Sequence, residues 1–331
     1  MMTQKEFDRI WTDDSEYVEC HTSGSTGVPR KIRLSKKFMR ESARRSNDFF
    51  DISADSRLHT CLDFDYIASR MMTVRAEVAG CKLTSETPSN RPLSDIDKME
   101  RVDLMSVVPS QMEWILDSPE MWSGIRRILV GGAPIPSGLR RRIALSGYEV
   151  WESYGMTETA SHIALRRVSD GDESPFETLP GITVSVEDDG RLAVRISGSK
   201  KLVTNDIAEV YSPAEFRILG RADNCVISGG IKIMPEELER RLGSFIAYDY
   251  CISSVPDSKW GERLVLVVEV SGSGMNPEFM KRAVGVRLNQ YRKILELGVK
   301  SPKEVICVET LPRTRNGKID RKTLRENLSK N

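Results

Sequence analysis

The sequence predicts an α/β protein built on a mostly parallel sheet. Short apolar runs alternate with helical patterns: RRILV at 126–130 precedes the helix-like segment SGLRRRIAL at 137–145. The next strand begins at 149–151. A strand, a loop and a helix in repeated order are typical of parallel sheets, because parallel neighbours need a crossover connection.

A different pattern begins near residue 182. The segment ITVSVEDDGRLAVRI at 182–196 contains two alternating runs around Asp-Asp-Gly, which predicts an antiparallel hairpin. A further antiparallel stretch is expected through 210–219, followed by the short polar connector GRADN at 220–224. The sequence therefore predicts a small antiparallel part at the end of the first domain.

The remaining segment, of about a hundred residues, has the size of an independent domain. Its pattern predicts a helix that opens with Pro, a strand, an amphipathic helix and a last strand, at 235–242, 262–270, 275–295 and 304–309. We therefore divide the chain into a first domain at 1–220 and a small, mobile α+β domain at 221–331, with a hinge at 221–224.

Composition excludes several classes of protein. The chain has 331 residues, 39% hydrophobic and 29% charged, with a formal net charge of +1. This charge does not favour nucleic acid or membrane surfaces, and the apolar runs are too short to span a bilayer. The six cysteines form no C-x-x-C pair and the N-terminus resembles no secretory signal, so we expect a reduced, cytoplasmic protein.

The first candidate site is the loop HTSGSTGVPRK at 21–31. Its hydroxyls, uncovered backbone N–H groups and two cations, Arg30 and Lys31, suit a polyphosphate. The spacing matches neither a Walker loop nor a dinucleotide fingerprint. The alternative is a flexible polar loop.

Four further polar stretches follow. ESYGMTETAS at 152–161 places a hydroxyl beside a carboxylate after a strand, where Mg²⁺ could bind; the alternative is a turn with a surface Glu. TNDIAEV at 204–210 offers Asp206 to ribose hydroxyls or is simply a turn. GRADNCVISGG at 220–230 spans the domain boundary, and RNGKIDR at 315–321 is otherwise a solvated basic run.

These five stretches, in this order and spacing, resemble the motifs of the adenylate-forming superfamily, which includes acyl-CoA and aryl-CoA ligases, peptide-synthetase adenylation domains and luciferases. The resemblance runs from about residue 18 to the end of the chain. It implies ATP, Mg²⁺ and coenzyme A as cofactors and a carboxylic acid as substrate, activated through an acyl-adenylate.

The resemblance also implies a role for each matching residue. These roles are catalysis for Lys318, Thr157 and Glu158, with Glu158 also holding Mg²⁺; phosphate binding for Thr22, Ser23, Gly24, Ser25, Thr26, Gly27, Arg30 and Lys31; adenine and ribose binding for Gly131, Gly132, Ala133, Tyr154, Gly155, Asp206 and Arg221; the hinge for Asp223; and the thiol tunnel for Ser228, Gly229 and Gly230.

The chain departs from the family pattern at three places. Only twenty residues precede the phosphate loop, so we expect the subdomain that usually precedes it to be absent. Arg30 stands where Lys is usual and Lys31 where Gly is usual, and an Arg is not equivalent to an ammonium. CLDFDYIASRMM at 61–72 replaces the usual acyl-site wall, which indicates an unusual acid.

Within the superfamily, SYGMTETASHIAL at 153–165 most resembles the o-succinylbenzoate–CoA ligases of menaquinone synthesis. Their acid has a second carboxylate, for which we name Arg70, Arg75, Ser161 and His162 as candidates. The alternatives are a ligase for another aryl or acyl acid, an enzyme that loads a carrier protein, and a non-catalytic nucleotide-binding relative. Association into a homo-oligomer stays open.

Overall fold

The fold is described from a computed structural model, for residues 1–21, 30–93, 101–118, 124–168, 174–243, 245–271, 274–294, 300–314 and 318–330. The described helices are α1 (Gln4–Thr12), α2 (Lys36–Phe50), α3 (Ile67–Ala79), α4 (Pro109–Asp117), α5 (Ser137–Ser146), α6 (Pro235–Leu242), α7 (Pro277–Ile294) and α8 (Arg321–Leu328). None of them is both long and apolar enough to cross a membrane.

The described strands form three sheets. They are β1 (Tyr17–His21), β2 (Lys31–Ser35), β3 (Arg57–Thr60), β4 (Lys82–Ser85), β5 (Leu104–Val107), β6 (Arg127–Val130), β7 (Glu149–Met156), β8 (Ser161–Arg167), β9 (Phe176–Thr178), β10 (Ile182–Val186), β11 (Arg191–Ile196), β12 (Leu202–Ser212), β13 (Glu215–Arg221), β14 (Val226–Ser228), β15 (Ile231–Ile233), β16 (Tyr250–Asp257), β17 (Gly261–Glu269) and β18 (Glu304–Val308).

The largest sheet has eleven strands in the order β10-β11-β12-β13-β9-β8-β7-β6-β5-β3-β4. The pairs from β4 to β7 are parallel, and those from β7 to β10 are antiparallel. The predicted α/β class, with an antiparallel part joined to the parallel sheet, is confirmed. The predicted hairpin is also present, because β10 pairs with β11 across a turn that ends at Gly190, whose φ is +87°.

A separate two-stranded hairpin lies near the N-terminus. β1 pairs antiparallel with β2, and their buried side chains join one apolar cluster with Phe7 and Trp11 of α1 and with residues of α2 and α3. The apolar side of α1 therefore packs in the same cluster as the hairpin, α2 and α3.

The C-terminal part has its own five-stranded sheet, in which β17 pairs antiparallel with β14 and β16 and parallel with β18. The helix predicted to open with Pro is α6, whose first residue is Pro235. α6 and α7 cover one face of this sheet with an apolar cluster, and α8 packs on the other face. The division into two domains at 220 stays a prediction.

Candidate active site

The base of the predicted phosphate loop is a closed hairpin end, where His21 of β1 is paired with Lys31 of β2. The loop residues Thr22, Ser23, Gly24, Ser25, Thr26 and Gly27 lie outside the described residues. Arg30 is exposed at the end of the loop, while the Lys31 ammonium lies 3.4 Å from the carboxylate of Glu19 on the same hairpin. Phosphate binding by these residues stays a prediction.

Two predicted ribose residues lie side by side because of strand register. β12 and β13 are antiparallel and pair Asp206 directly with Arg221. The Arg221 guanidinium lies 3.5 Å from one Asp206 oxygen, and the Tyr154 hydroxyl donates to the other at 2.6 Å. Burial, together with the charge of Asp206, raises the pKa of Tyr154 well above its ordinary value, so its hydroxyl stays a donor.

Lys318 approaches this pair from the C-terminal part of the chain. Desolvation and the charge of Arg221 lower the pKa of Lys318, and Asp206 opposes them. Arg321, three residues further on, fixes the segment by donating to Glu239 at 2.5 Å and to the Ile252 carbonyl at 3.1 Å. The Lys318 ammonium is therefore close enough to Asp206 of β12 and Arg221 of β13 for their charges to act on it.

The hydrogen bond from Tyr154 is expected to orient the Asp206 carboxylate toward the ribose of ATP. Tyr154→Phe removes the hydroxyl and leaves one buried carboxylate oxygen without its donor, so we expect the Kd for ATP to rise about tenfold. Isothermal titration with Mg-ATP measures this. Tyr211→Phe is the matched control, because that hydroxyl also donates to a carboxylate, Glu209, but lies on an exposed side chain. An equal change in both variants would contradict the assignment.

Three small residues follow β6, where a flat ring could approach the backbone. The Gly131 N–H donates to the Val107 carbonyl, and an added Cβ at Gly131 would lie 2.5 Å from the Ser153 hydroxyl. Gly132 has φ +82°, a conformation that favours glycine. Ala133 is half-buried beside them. Adenine contact at Gly131, Gly132 and Ala133 stays a prediction.

Gly155 lies at an irregularity in the β7–β8 pairing, where it faces the backbone of β8. A Cβ on Gly155 would lie 2.5 Å from the His162 Cα and closer still to the Ser161 carbonyl oxygen. Both contacts are main-chain atoms that cannot swing aside.

Gly155→Ala is therefore expected to lower the free energy of unfolding by about 2–3 kcal/mol, through overpacking against the backbone. Urea denaturation measures the change. Gly138→Ala, near the start of α5, is the control: an added Cβ there meets nothing within 4 Å, and alanine is the better helix former. Equal destabilisation in both variants would show that the close contact at Gly155 is not the cause.

Thr157 and Glu158 form a single 3-10 turn after β7. Glu158 is exposed, and in the described part of the chain its carboxylate has no hydrogen bond or ion pair. No group of three or more His, Cys, Asp or Glu residues gathers to hold a metal within the ranges described. A single exposed carboxylate is compatible with Mg²⁺, which is commonly held by one or two carboxylates together with substrate phosphates.

The predicted hinge residue, Asp223, is paired with Arg221, which is one of the predicted ribose residues. Both oxygens of Asp223 accept from the Arg221 guanidinium, at 3.1 and 3.2 Å. Beyond the hinge, Ser228 ends β14, Gly229 donates its N–H to the Trp260 carbonyl, and Gly230 has φ +79°. The hinge and thiol-tunnel roles stay predictions.

Arg70 is a correction to the sequence-based assignment. Its guanidinium donates to the carbonyls of Phe64 and Glu19 at 2.6 and 2.7 Å, and only 3% of the residue is exposed. These bonds tie α3 to β1, so the Arg70 guanidinium is used within the fold and is not left for a substrate.

Arg75, one and a half turns further along α3, is in a different environment. It is 1% exposed, and its guanidinium donates to His162 Nδ1 at 3.1 Å, Ser161 Oγ at 3.3 Å and Met72 Sδ at 3.4 Å. Among the described residues, its Nε has no hydrogen-bond partner and no carboxylate lies within ion-pair distance of it. Burial alone lowers the pKa of Arg75 to about 10.

The neighbouring His162 is neutral, because burial and the charge of Arg75 hold its pKa well below the usual value. Since Nδ1 accepts from Arg75, the proton must lie on Nε2, which is buried without a partner among the described residues. Ser161, at φ +82°, is held in a strained conformation beside them. Three of the four predicted acid-site residues therefore form one cluster with unused donors.

Two residues of α2 that no sequence motif indicates also contact this cluster. The Asn47 amide donates to the Arg75 carbonyl at 2.9 Å, and the Phe50 ring lies edge-on to His162. The apolar stripe of α2 indicates its buried face, but sequence spacing alone does not show that this face meets β8.

Comparisons with known proteins agree with this geometry. The profile of the AMP-binding enzyme family matches residues 4–197, more than half of the chain. The indoleacetate–CoA ligase of Aromatoleum aromaticum is 28% identical over 93% of this chain and 66% of its own length. The 2-succinylbenzoate–CoA ligase of Listeria monocytogenes is 25% identical over 94% of this chain and 70% of its own.

Among solved structures, an acyl-CoA synthetase (AMP-forming)/AMP-acid ligase II-like protein from Dyadobacter fermentans is similar, with a TM-score of 0.61 and 30% identity. The match covers 98% of this chain and 93% of that one. The chain spans about two thirds of the length of the curated relatives it matches. By the extent of the profile match, the chain belongs to the AMP-binding enzyme family.

Proposed function

We propose that this protein is an AMP-forming acid–CoA ligase. The observation that supports it most is the position of Lys318, which lies close enough to Asp206 and Arg221 for their charges to shift its pKa. Residues from distant parts of the chain thus form an arrangement suited to a nucleotide and a carboxylate. The family match and the curated relatives, which are ligases of several carboxylic acids, support the same reaction class.

In the first step a carboxylate oxygen attacks the α-phosphorus of ATP, and the bond to pyrophosphate breaks. No general base is needed, because the carboxylate is already ionised at neutral pH. Catalysis is then positioning and charge stabilisation. Lys318 draws the two anions together, Asp206 and Arg221 hold the ribose, and Thr157 contacts the α-phosphate. Mg²⁺ at Glu158 would supply positive charge to the phosphates.

In the second step a thiol of coenzyme A attacks the acyl carbon, and AMP leaves. The thiol needs the space that Lys318 occupies, so the C-terminal part must turn about Asp223 and bring Ser228, Gly229 and Gly230 to the site. Rotation about a few terminal residues is a common form of domain closure.

We further propose that the acid carries a second anionic group, which binds at Arg75. A buried cation without a carboxylate partner is costly unless a ligand compensates it. Arg75 Nε–H and His162 Nε2–H have no acceptor in the part of the chain that the structure describes, and Ser161 adds a hydroxyl. The chemistry favours a dicarboxylate such as o-succinylbenzoate, with another aryl or acyl acid as the alternative.

One assay tests both levels of this proposal. The protein is incubated with Mg-ATP and o-succinylbenzoate, with and without coenzyme A, and pyrophosphate and thioester are measured beside a panel of aryl and acyl monoacids. Pyrophosphate only with acids that have a second anion supports the Arg75 site. Pyrophosphate only with monoacids keeps the ligase and rejects the diacid, whereas none with any acid favours a non-catalytic nucleotide-binding protein.

A further inference from the structure

The first turn of α6 rests against β13, the last strand before the predicted hinge. Gly220 of β13 has no side chain, and an added Cβ would lie 2.5 Å from the Glu236 carboxylate and 3.0 Å from the Met234 methyl. Nearby, Gly243, just past α6, lies so close to Ser137 of α5 that an added Cβ would be 2.7 Å from the Ser137 Cβ. These close approaches fix α6 on the part of the chain that holds the ribose residues.

One ion pair crosses the same contact. Arg217 of β13 donates to Glu209 on the neighbouring strand at 2.9 Å, and its guanidinium lies 4.0 Å from the Glu237 carboxylate of α6. Glu237 also accepts from Arg240, one turn later, at 2.8 Å. The Arg217 side chain is 14% exposed, so water screens this interaction less than it screens a surface pair.

We propose that Arg217 and Glu237 form a latch that holds the C-terminal part in the orientation in which Lys318 reaches the site. The latch joins β13, on one side of residues 221–224, to α6 on the other. Any rotation about those residues that withdraws Lys318 also separates Arg217 from Glu237, while Arg217–Glu209 and Glu237–Arg240 survive. The Arg217–Glu237 pair therefore stabilises only the orientation with Lys318 at the site. An interaction present in one of two states shifts the equilibrium toward that state.

This inference rests on the proposed function only for its kinetic consequence. Neither residue touches the predicted substrates, so each is a positioning residue. Loss of the latch should favour the orientation without Lys318, which slows pyrophosphate formation and spares thioester formation from a supplied acyl-adenylate.

The test uses Ser137→Cys as a reporter, because the approach of Gly243 covers Ser137 in this orientation. We expect Arg217→Gln and Glu237→Gln each to raise the rate at which a thiol reagent labels the introduced side chain about threefold to fivefold, the effect of one modest ion pair. Peptide mass spectrometry separates this site from Cys81, Cys225 and Cys307, which are half-buried. The double variant should label no faster than either single one, since both remove the same interaction.

Arg195→Gln and Glu278→Gln are matched controls, an exposed arginine of β11 and an exposed acid in the first turn of α7. The latch is rejected if labelling is unchanged in the latch variants, if their effects add in the double variant, or if the controls respond equally. Labelling needs neither ATP nor an acid, so failure of the proposed function, seen as no pyrophosphate from the parent protein, is read separately.

Discussion

Replacing Lys318 by alanine is expected to lower the rate of pyrophosphate formation about 10²- to 10³-fold, the usual cost of removing one group that stabilises transition-state charge. Thioester formation from a supplied acyl-adenylate should be largely unchanged. We expect the two half-reactions to separate because, in the proposed function, Lys318 acts only in the first step and leaves the site before the second.

The pH dependence of pyrophosphate formation is a second test of the proposed role of Lys318. Desolvation and the charge of Arg221 lower its pKa from the ordinary value of 10.5, so the ammonium loses its proton at a lower pH than a solvated lysine would. We expect kcat/KM for pyrophosphate formation to decline on the alkaline side before pH 10.5, because kcat/KM reports the free protein, and we expect this decline to be absent from the residual activity of Lys318→Ala.

Lys322→Ala is the matched control, an exposed lysine in the first turn of α8, four residues away. It should leave both half-reactions near the parent rates. An equal loss of pyrophosphate and thioester formation in Lys318→Ala would contradict the assignment and would indicate that the segment supports the fold of the C-terminal part instead.

The sequence predicts most of the scaffold because its signals are local. Pro235 starts α6, and Asp-Asp-Gly marks the β10–β11 turn, without reference to distant residues. Asp206 and Arg221 are also close in sequence, and the strand register brings them together. Tyr154 and Lys318 are distant in sequence from this pair, and only the order of the family motifs along the chain predicts that they belong to the same site.

Local sequence signals do not predict which residues form the candidate acid site. Arg70 and Arg75 lie on one helix with similar spacing to the same motifs, yet their environments are opposite. Arg70 meets main-chain carbonyls from β1 and the loop before α3, whereas Arg75 faces Ser161 and His162 of β8. Which face of α3 meets which strand depends on the packing of α2, α3 and the sheet, and no property of either arginine in the sequence predicts it.

The second large effect is expected at Arg75. Arg75→Met should lower kcat/KM for a two-anion acid about 10²-fold or more, as removing one partner of a buried charge pair does, and should change kcat/KM for a monoacid of similar shape far less. The difference between the two losses in kcat/KM measures the contribution of the second anion, because the activated carboxylate and ATP are common to both reactions.

The same substitution should stabilise the fold, which separates a binding role from a structural one. Burial lowers the pKa of Arg75 from 12.5 to about 10, corresponding to about 3 kcal/mol against the folded state at neutral pH. The unfolded chain binds more protons between those two values, so this deficit is complete below pH 10 and disappears as the pH rises toward 12.5. Methionine removes the buried charge, and we expect the free energy of unfolding to rise by about 1 kcal/mol or more.

Arg127→Met provides the contrast. Arg127 is also buried, but its guanidinium pairs with Glu149 at 3.1 Å and Asp51 at 3.5 Å and donates to the Phe50 carbonyl. Its loss should destabilise the protein and leave the preference between acids intact, because its charge is already used within the fold. Urea denaturation measures the stability, and the ratio of kcat/KM for the two-anion acid to kcat/KM for the monoacid measures the preference. A destabilised Arg75→Met with an unchanged ratio would contradict the proposal, because it would show that Arg75 supports the fold, as Arg70 does, and does not bind a second anion.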